Sequence, residues 1–194
     1  MERICVYCGS SSGSTPRHLD AAHRLGQTLA RRKLGLIYGG ARVGLMGRVA
    51  DAALEEGGEV TGIIPRAFAS RVAHEGLTKL HVVDTMHVRK NLMFEMADAF
   101  IALPGGFGTL EEILEILTWA QIGIHSKPCG IINVDGYFDS FLSFLDNTVS
   151  SGFVKPEHRR MLLVAETPEE MLQQMESYRV FEVSKWAESE TEML

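Results

Sequence analysis

The feature that most constrains this fold is the alternation of short apolar runs with longer helical patterns along the chain. The runs are apolar throughout rather than at every second residue, which indicates strands that are buried on both faces. Buried strands that alternate with helices are typical of a parallel sheet covered on both sides. The sequence therefore predicts an α/β fold with a doubly wound, mostly parallel sheet of about seven strands flanked by helices.

The same patterns predict where the elements lie. Strands are predicted at residues 3–7, 35–38, 60–64, 79–83, 99–103, 130–133 and 161–164, and helices at 16–32, 45–56, 86–97, 110–123, 137–150 and 168–177. A threonine followed by proline, at Thr15-Pro16 and Thr167-Pro168, marks two helix starts, because threonine caps a helix and proline fits its first turn. The length favours one domain over residues 1–180, followed by an acidic tail at 181–194.

Charge and cysteine content narrow the possible partners. The net charge is −6 and lysine and arginine form no run, which argues against a nucleic-acid partner. No apolar stretch is long enough to cross a bilayer, so no membrane partner is expected. The odd cysteine count suits a reducing, cytoplasmic location. Cys5 and Cys8 have C-x-x-C spacing but fall on a predicted strand, where they point to opposite faces, so no metal site is expected.

Three glycine-rich loops follow predicted strands, at residues 9–13, 39–44 and 104–109. Parallel α/β sheets bind ligands beyond the carboxyl ends of their strands, where helix N-termini offer free N–H groups to a phosphate. A connecting turn is enough to explain one such loop, but three loops at one edge favour a nucleotide-like ligand. Gly9, Ser10 and Gly40 are the candidate ligand contacts in the first two loops.

The third loop fits neither of two common nucleotide-binding motifs. The P-loop pattern G-x-x-x-x-G-K-[ST] is absent from the chain. Gly106 and Gly108 begin a G-x-G-x-x-G pattern, but Glu111 occupies the position of its last glycine. An acid there would repel a pyrophosphate, so a carboxylate close to a sugar is the more sensible arrangement.

The predicted helix 86–97 carries Arg89 near the centre of an apolar stripe, with Lys90 at its margin. An arginine on a buried face is costly unless it is paired with an acid or faces a ligand. Two interpretations stay open: a structural or snorkelling arginine, and a clamp for phosphate or carboxylate.

Glu112 also has two interpretations. In Thr109-Leu110-Glu111-Glu112 it has the spacing of a capping box, which would explain it without chemistry. It also follows a predicted phosphate loop, where an acid stabilises a cation such as an oxocarbenium-like ribosyl transition state.

Several motifs together resemble one family. Residues 104–112 read P-G-G-F-G-T-L-E-E and match the P-G-G-x-G-T-x-x-E signature of the Lonely Guy (LOG) proteins, which are cytokinin riboside 5′-monophosphate phosphoribohydrolases. The likeness extends from about residue 4 to 154 and includes V-Y-C-G-S-S, M-H-V-R-K and T-W-A-Q-I-G-I-H. Ala41 departs from the family, which usually has a third glycine there.

The resemblance implies a Rossmann-like homodimer that needs no metal or organic cofactor. Its implied substrate is a nucleoside 5′-monophosphate, which is hydrolysed to a free base and ribose 5-phosphate. By position, Arg89 and Glu112 match the catalytic pair. The implied nucleotide contacts are Glu75, Lys90, Gly105, Gly106, Phe107, Gly108, Thr109, Leu110, Glu111 and Thr118.

The alternatives are a broader AMP nucleosidase and a non-catalytic carrier of a nucleotide or phosphorylated cofactor. A lysine decarboxylase, the label that many relatives carry, has little support, because nothing in the sequence marks a pyridoxal site. The expected mechanism places the 5′-phosphate on the loop at residues 105–109. Arg89 then orients the nucleotide, and Glu112 stabilises the ribosyl cation and positions the attacking water.

Overall fold

A computed structural model describes residues 1–179 as a parallel sheet with helices on both faces. The strands are β1 Arg3–Tyr7, β2 Gly35–Tyr38, β3 Val60–Pro65, β4 Lys79–Val83, β5 Ala99–Ala102, β6 Cys129–Ile132 and β7 Leu162–Ala165. The helices are α1 Pro16–Arg31, α2 Gly44–Glu55, α3 Arg66–Val72, α4 Met86–Met96, α5 Phe107–Gln121, α6 Asp139–Ser150, α7 Pro156–Arg159 and α8 Pro168–Glu176. The predicted tail at 181–194 lies outside the described residues.

The strand order creates a crevice at one point of the sheet. The order is β4-β3-β2-β1-β5-β6-β7, and every pair is parallel. The chain moves outward from β1 to β4 and then returns to place β5 on the other side of β1. The segments after β1 and β5 therefore diverge at their carboxyl ends, which is where such sheets bind ligands. The predicted doubly wound α/β fold is confirmed.

Each face of the sheet has its own core, because the buried strands contribute apolar side chains in both directions. One core lies under α1, α2 and α8, and the other lies under α4, α5 and α6. Cys8 belongs to the first core and Cys5 to the second, as the strand spacing predicts. Burial raises the pKa of both thiols and of Cys129, so these free cysteines stay protonated and unreactive.

Of the three threonine cap patterns in the sequence, two cap a helix in the structure and one does not. Thr15 and Thr167 cap α1 and α8 by accepting backbone N–H bonds. The predicted capping box at Thr109 is wrong: α5 begins at Phe107, its N-cap is Gly106, and no side chain caps it. Glu112 therefore lies beyond the first turn, where it cannot act as a cap. The short helices α3 and α7 were not predicted.

Within residues 1–179, no helix is both long enough and apolar enough to span a membrane.

Candidate active site

A cleft of about 300 Å³ opens at the crevice of the sheet. Its walls come from the segments after β1, β2 and β5 and from the first turns of α4 and α5. Met46, Met86 and Met93 form an apolar part of this wall, and Arg89 and Glu112 form a charged part. The cleft therefore combines a helix N-terminus, an apolar wall and a pair of opposite charges.

Arg89 and Glu112 form a buried ion pair at the base of the cleft. The Arg89 Nη1 donates to Glu112 Oε1 at 2.8 Å, although the two residues lie on different helices. The Arg89 Nε donates to the carbonyl of Ile63 at 3.0 Å, which anchors the guanidinium to β3. A buried arginine held at two points has little freedom to move away from its acid.

The glycine at position 39 makes room for this arginine. A Cβ at Gly39 would lie only 2.2 Å from Nη2 of Arg89, so any side chain there would displace the guanidinium. Gly39 follows β2 directly, in the second of the glycine-rich loops. Gly39 therefore leaves space for the Arg89 guanidinium. The glycine pattern of the loop does not reveal this role by itself.

Burial sets the protonation chemistry of Glu112. Removal from water raises the pKa of its carboxyl above the ordinary value of 4.5, and the charge and hydrogen bond of Arg89 offset this only in part. A carboxyl with a raised pKa keeps its proton to a higher pH than an exposed glutamate does. Oε2 accepts no hydrogen bond from any residue in the range 1–179, so it is the oxygen free to meet a ligand.

The N-terminus of α5 forms the other half of the cleft. The N–H groups of Phe107, Gly108 and Thr109 lie in the first turn, where no preceding helical carbonyl accepts them. The positive end of the helix dipole adds to their attraction for an anion. This turn can therefore bind a phosphate through backbone atoms alone.

The loops around that turn are tied to one another. Gly9 N–H donates to the Pro104 carbonyl at 3.0 Å, and Leu45 N–H donates to the Gly9 carbonyl at 3.1 Å. The Tyr137 hydroxyl donates to the Gly105 carbonyl at 2.6 Å. These bonds hold the segments after β1, β2 and β5 in one arrangement before any ligand binds.

Lys90 forms a second ion-pair cluster beside the cleft. Its Nζ donates to Glu115 Oε1 at 2.9 Å and also contacts the carboxylate of Glu111. Burial by itself would lower the pKa of Lys90, but the two carboxylates raise it overall. The ammonium group is therefore charged and already has two acidic partners.

Comparison with known proteins agrees with these features. The family model described as "possible lysine decarboxylase" matches residues 46–175. The chain is 49% identical over 178 residues to cytokinin riboside 5′-monophosphate phosphoribohydrolase LOG7 of Arabidopsis thaliana, covering 91% of this chain and 82% of that protein. It is 50% identical over 177 residues to the rice (Oryza sativa subsp. japonica) enzyme LOG, covering 91% of this chain and 73% of that one.

The chain belongs to the LOG family. Among solved structures, it resembles the molybdenum cofactor binding protein of Rippkaea orientalis with a TM-score of 0.70 and 24% identity, covering 91% of this chain and 97% of that one. The Moco carrier protein of Chlamydomonas reinhardtii is similar at a TM-score of 0.67 and 19% identity, covering 91% and 98%. At these identities the likeness supports the Rossmann-like fold alone.

Most of the candidate site residues named from the sequence lie in the cleft. They are Gly9, Ser10, Arg89, Gly106, Phe107, Gly108, Thr109, Glu111 and Glu112. Gly105 lines a neighbouring cavity together with Pro104 and Tyr137, and Leu110 is partly buried against the core beneath α5. The sequence analysis did not name Gly39 and Met46 as cleft residues. Gly39 lies in the second glycine-rich loop and Met46 just after it, so this loop could have indicated both.

Besides Gly105 and Leu110, four further predicted contacts lie outside this cleft. Lys90 faces its two acids, and Gly40 packs against β3 while its carbonyl accepts a bond from the His74 N–H. Glu75 is exposed on the segment before β4. Thr118 is exposed near the far end of α5, where its hydroxyl donates to the Leu114 carbonyl. Their roles in binding stay predictions.

Proposed function

We propose that this protein hydrolyses the N-glycosidic bond of N6-modified adenosine 5′-monophosphates, releasing a cytokinin base and ribose 5-phosphate. The observation that carries the proposal is the buried Arg89–Glu112 pair placed beside the open N-terminus of α5. The names of the relatives from Arabidopsis and rice, at 49% and 50% identity, support the same activity.

In this proposal the 5′-phosphate binds the first turn of α5. The N–H groups of Phe107, Gly108 and Thr109 hold its oxygens, and the helix dipole compensates part of its charge. The phosphate takes no part in the bond cleavage, but its binding energy holds the sugar in place. A nucleoside without phosphate should therefore react slowly even though it carries the same glycosidic bond.

Glu112 acts on the sugar and on water. As the bond to the base breaks, positive charge develops on the ribose, and the Glu112 carboxylate stabilises it in surroundings that water screens poorly. The base leaves with the electron pair of the glycosidic bond and takes up a proton from solvent. Oε2 takes a proton from the attacking water, which adds to the anomeric carbon. Arg89 keeps the carboxylate in position through Oε1 and supplies a cation near the nucleotide.

The decisive measurement is product chromatography after incubation with three compounds: AMP, N6-isopentenyl-AMP and N6-isopentenyladenosine. We expect free base and ribose 5-phosphate from the isopentenylated monophosphate, and little product from the nucleoside. Equal rates with AMP would indicate a broader nucleosidase. Tight binding with no released base would instead indicate a carrier and would contradict the proposal.

We also propose that the protein is a homodimer through the outer face of α5. Leu114, Thr118 and Ile122 are exposed at a spacing of four residues, which places them along one side of the helix. An exposed apolar stripe of this kind favours contact with another surface. A two-fold contact would cover Leu114 and Ile122 and would place Thr118 at the interface, away from its own cleft.

Light scattering of the Leu114→Asp, Ile122→Asp double variant tests the dimer. We expect the mass of a dimer for the wild type and of a monomer for the variant. Phe144→Asp, which changes an exposed apolar residue on α6, is the matched control and should leave the mass unchanged. A wild-type protein that is monomeric at assay concentration would exclude the dimer.

A further inference from the structure

Tyr137 connects the segment after β6 to the loop that precedes α5. Its hydroxyl donates to the Gly105 carbonyl at 2.6 Å, across 32 positions of the chain. That carbonyl belongs to the peptide group that joins Gly105 to Gly106, and Gly106 is the N-cap of α5. The proposed phosphate site begins directly after this N-cap. A bond to this peptide therefore acts on the edge of the phosphate site.

The peptide group between Gly105 and Gly106 has little of its own to fix its plane. It is trans, so its carbonyl and its N–H point in opposite directions. Neither glycine has a Cβ that would restrict rotation of the plane. The helical bond from the Leu110 N–H to the Gly106 carbonyl holds the next peptide group and not this one. A hydrogen bond from outside the loop is therefore needed to decide which of the two polar groups faces the cleft.

The bond from Tyr137 draws the carbonyl away from the cleft. Tyr137 and Gly105 line the neighbouring cavity, whereas Gly106 lines the cleft as well. With the carbonyl on the Tyr137 side, the Gly106 N–H points to the opposite side, where the cleft lies. This N–H donates to no residue in the range 1–179, so it is available to a ligand. A rotated peptide would instead present its carbonyl oxygen to an anion and repel it.

Tyr137 is itself held in place before any ligand binds. Residues 134–136 form a short 3₁₀ turn, and the Tyr137 N–H donates to the Val134 carbonyl at 3.0 Å. The phenol ring meets Phe138 edge-on, with 4.9 Å between centroids, and meets the His18 imidazole edge-on at 5.5 Å. Edge-to-face contacts of this kind stabilise one ring orientation. The hydroxyl therefore reaches the loop from a fixed position.

From these observations we infer that Tyr137 is a positioning residue for phosphate binding. Its hydroxyl orients the Gly105–Gly106 peptide so that the Gly106 N–H joins the backbone donors of α5. The inference rests on the proposed function, because it takes the 5′-phosphate to lie on the first turn of α5. Tyr137 acts through the peptide group and not on the reacting atoms. Its loss should weaken the binding of phosphate-bearing ligands only.

The test is calorimetric binding of ribose 5-phosphate to the wild type and to Tyr137→Phe. Phenylalanine keeps the ring contacts and removes only the hydroxyl. We expect ribose 5-phosphate to bind about three- to tenfold more weakly to the variant, the loss expected for one hydrogen bond. Adenosine, which carries no phosphate, should bind equally well to both. Tyr38→Phe is the matched control, because the buried Tyr38 hydroxyl has no partner within residues 1–179, and it should change neither affinity.

The backbone amide of Gly106 reports on the same step directly. In a proton–nitrogen correlation spectrum, ribose 5-phosphate should shift the Gly106 amide proton downfield in the wild type, because the N–H then donates to a phosphate oxygen. The shift should be much smaller in Tyr137→Phe. A general loss of stability would not single out this one resonance.

Three outcomes overturn the inference. They are unchanged affinity of Tyr137→Phe for ribose 5-phosphate, an equal loss of adenosine binding, and a Gly106 amide that ribose 5-phosphate does not shift in the wild type. None of these measurements needs turnover. If the wild type binds ribose 5-phosphate as expected yet releases no base from N6-isopentenyl-AMP, the proposed hydrolysis fails while the role of Tyr137 stands.

Discussion

Two neighbouring residues of α4, Arg89 and Lys90, form two sets of ion pairs with α5 that differ in the exposure of their acids. Arg89 and Glu112 are about nine-tenths buried and face the cleft, whereas Lys90 reaches Glu111 and Glu115, of which Glu111 is more than half exposed. Coulomb attraction is strong in the first environment and screened in the second, but the first also carries a desolvation cost. The comparison shows how one helix pair can hold a buried ion pair that faces the cleft and a cluster with more exposed acids beside it.

The largest difference should appear in turnover. Glu112→Gln keeps the size of the side chain and an acceptor for Arg89 but removes the charge that the ribosyl transition state needs. We expect kcat to fall by about 10²–10⁴-fold with little change in KM, measured by release of base from the monophosphate. Glu115→Gln, in the neighbouring cluster and outside the cleft lining, is the control and should retain most activity. Wild-type turnover in Glu112→Gln would remove this residue from the mechanism.

The second-largest difference between the two sets of ion pairs should appear in the free energy of unfolding. Arg89→Met leaves the Glu112 charge buried and unpaired, which should cost about 3–5 kcal/mol in the free energy of unfolding at pH 8. Adding Glu112→Leu should recover most of this loss, because the unpaired charge disappears with it. Urea unfolding of the single and double variants makes the measurement. A double variant no more stable than Arg89→Met would mean that packing, not charge, is lost.

The pH dependence of activity tests how burial and Arg89 affect the pKa of Glu112. Because burial raises the pKa of Glu112, its ionised form is reached only above the ordinary value of 4.5, so kcat/KM should rise with pH through a midpoint above 4.5. Arg89→Gln removes a charge that lowers this pKa, so its midpoint should move to higher pH. The sign for stability is the opposite, since ionising Glu112 in the folded state is unfavourable and stability falls as pH rises through this window. A midpoint at or below 4.5 would contradict the role of burial.

The smallest effect should come from Lys90→Met. The methionine keeps the apolar stem of the lysine, and the partners that lose the ammonium, Glu111 and Glu115, retain contact with solvent. We expect a cost of about 0–1 kcal/mol in unfolding free energy, measured by the same urea method. A loss as large as that for Arg89→Met would show that the two pairs are energetically alike.

The sequence predicted the elements better than it predicted the beginning of α5. Thr109 and Thr167 stand in similar cap patterns, yet only Thr167 caps a helix. The glycines before Thr109 allow the backbone to turn earlier, so α5 begins at Phe107. Local cap patterns cannot distinguish the two cases, because the choice depends on how the loop packs against its neighbours.

His18 shows a different kind of limit. Its spacing from Ala22, Leu25 and Leu29 is that of a buried helix face, which could have marked it as a polar residue on an apolar side. The spacing does not show that the imidazole packs edge-on against the ring of Tyr137, because that contact joins residues far apart in the chain.

By itself the sequence determined the fold class, the parallel sheet, the three glycine-rich loops and the nomination of Arg89 and Glu112. These follow from hydrophobic periodicity, backbone conformational freedom and motif spacing, which are properties of short stretches of chain. Tertiary structure alone decided the strand order and the 2.8 Å contact between residues 23 positions apart. It also decided how deeply Glu112 is buried, which raises the pKa of its carboxyl. The position of Lys90 outside the cleft was decided in the same way. The physical reason is that distance, desolvation and charge pairing arise only when separate elements pack together.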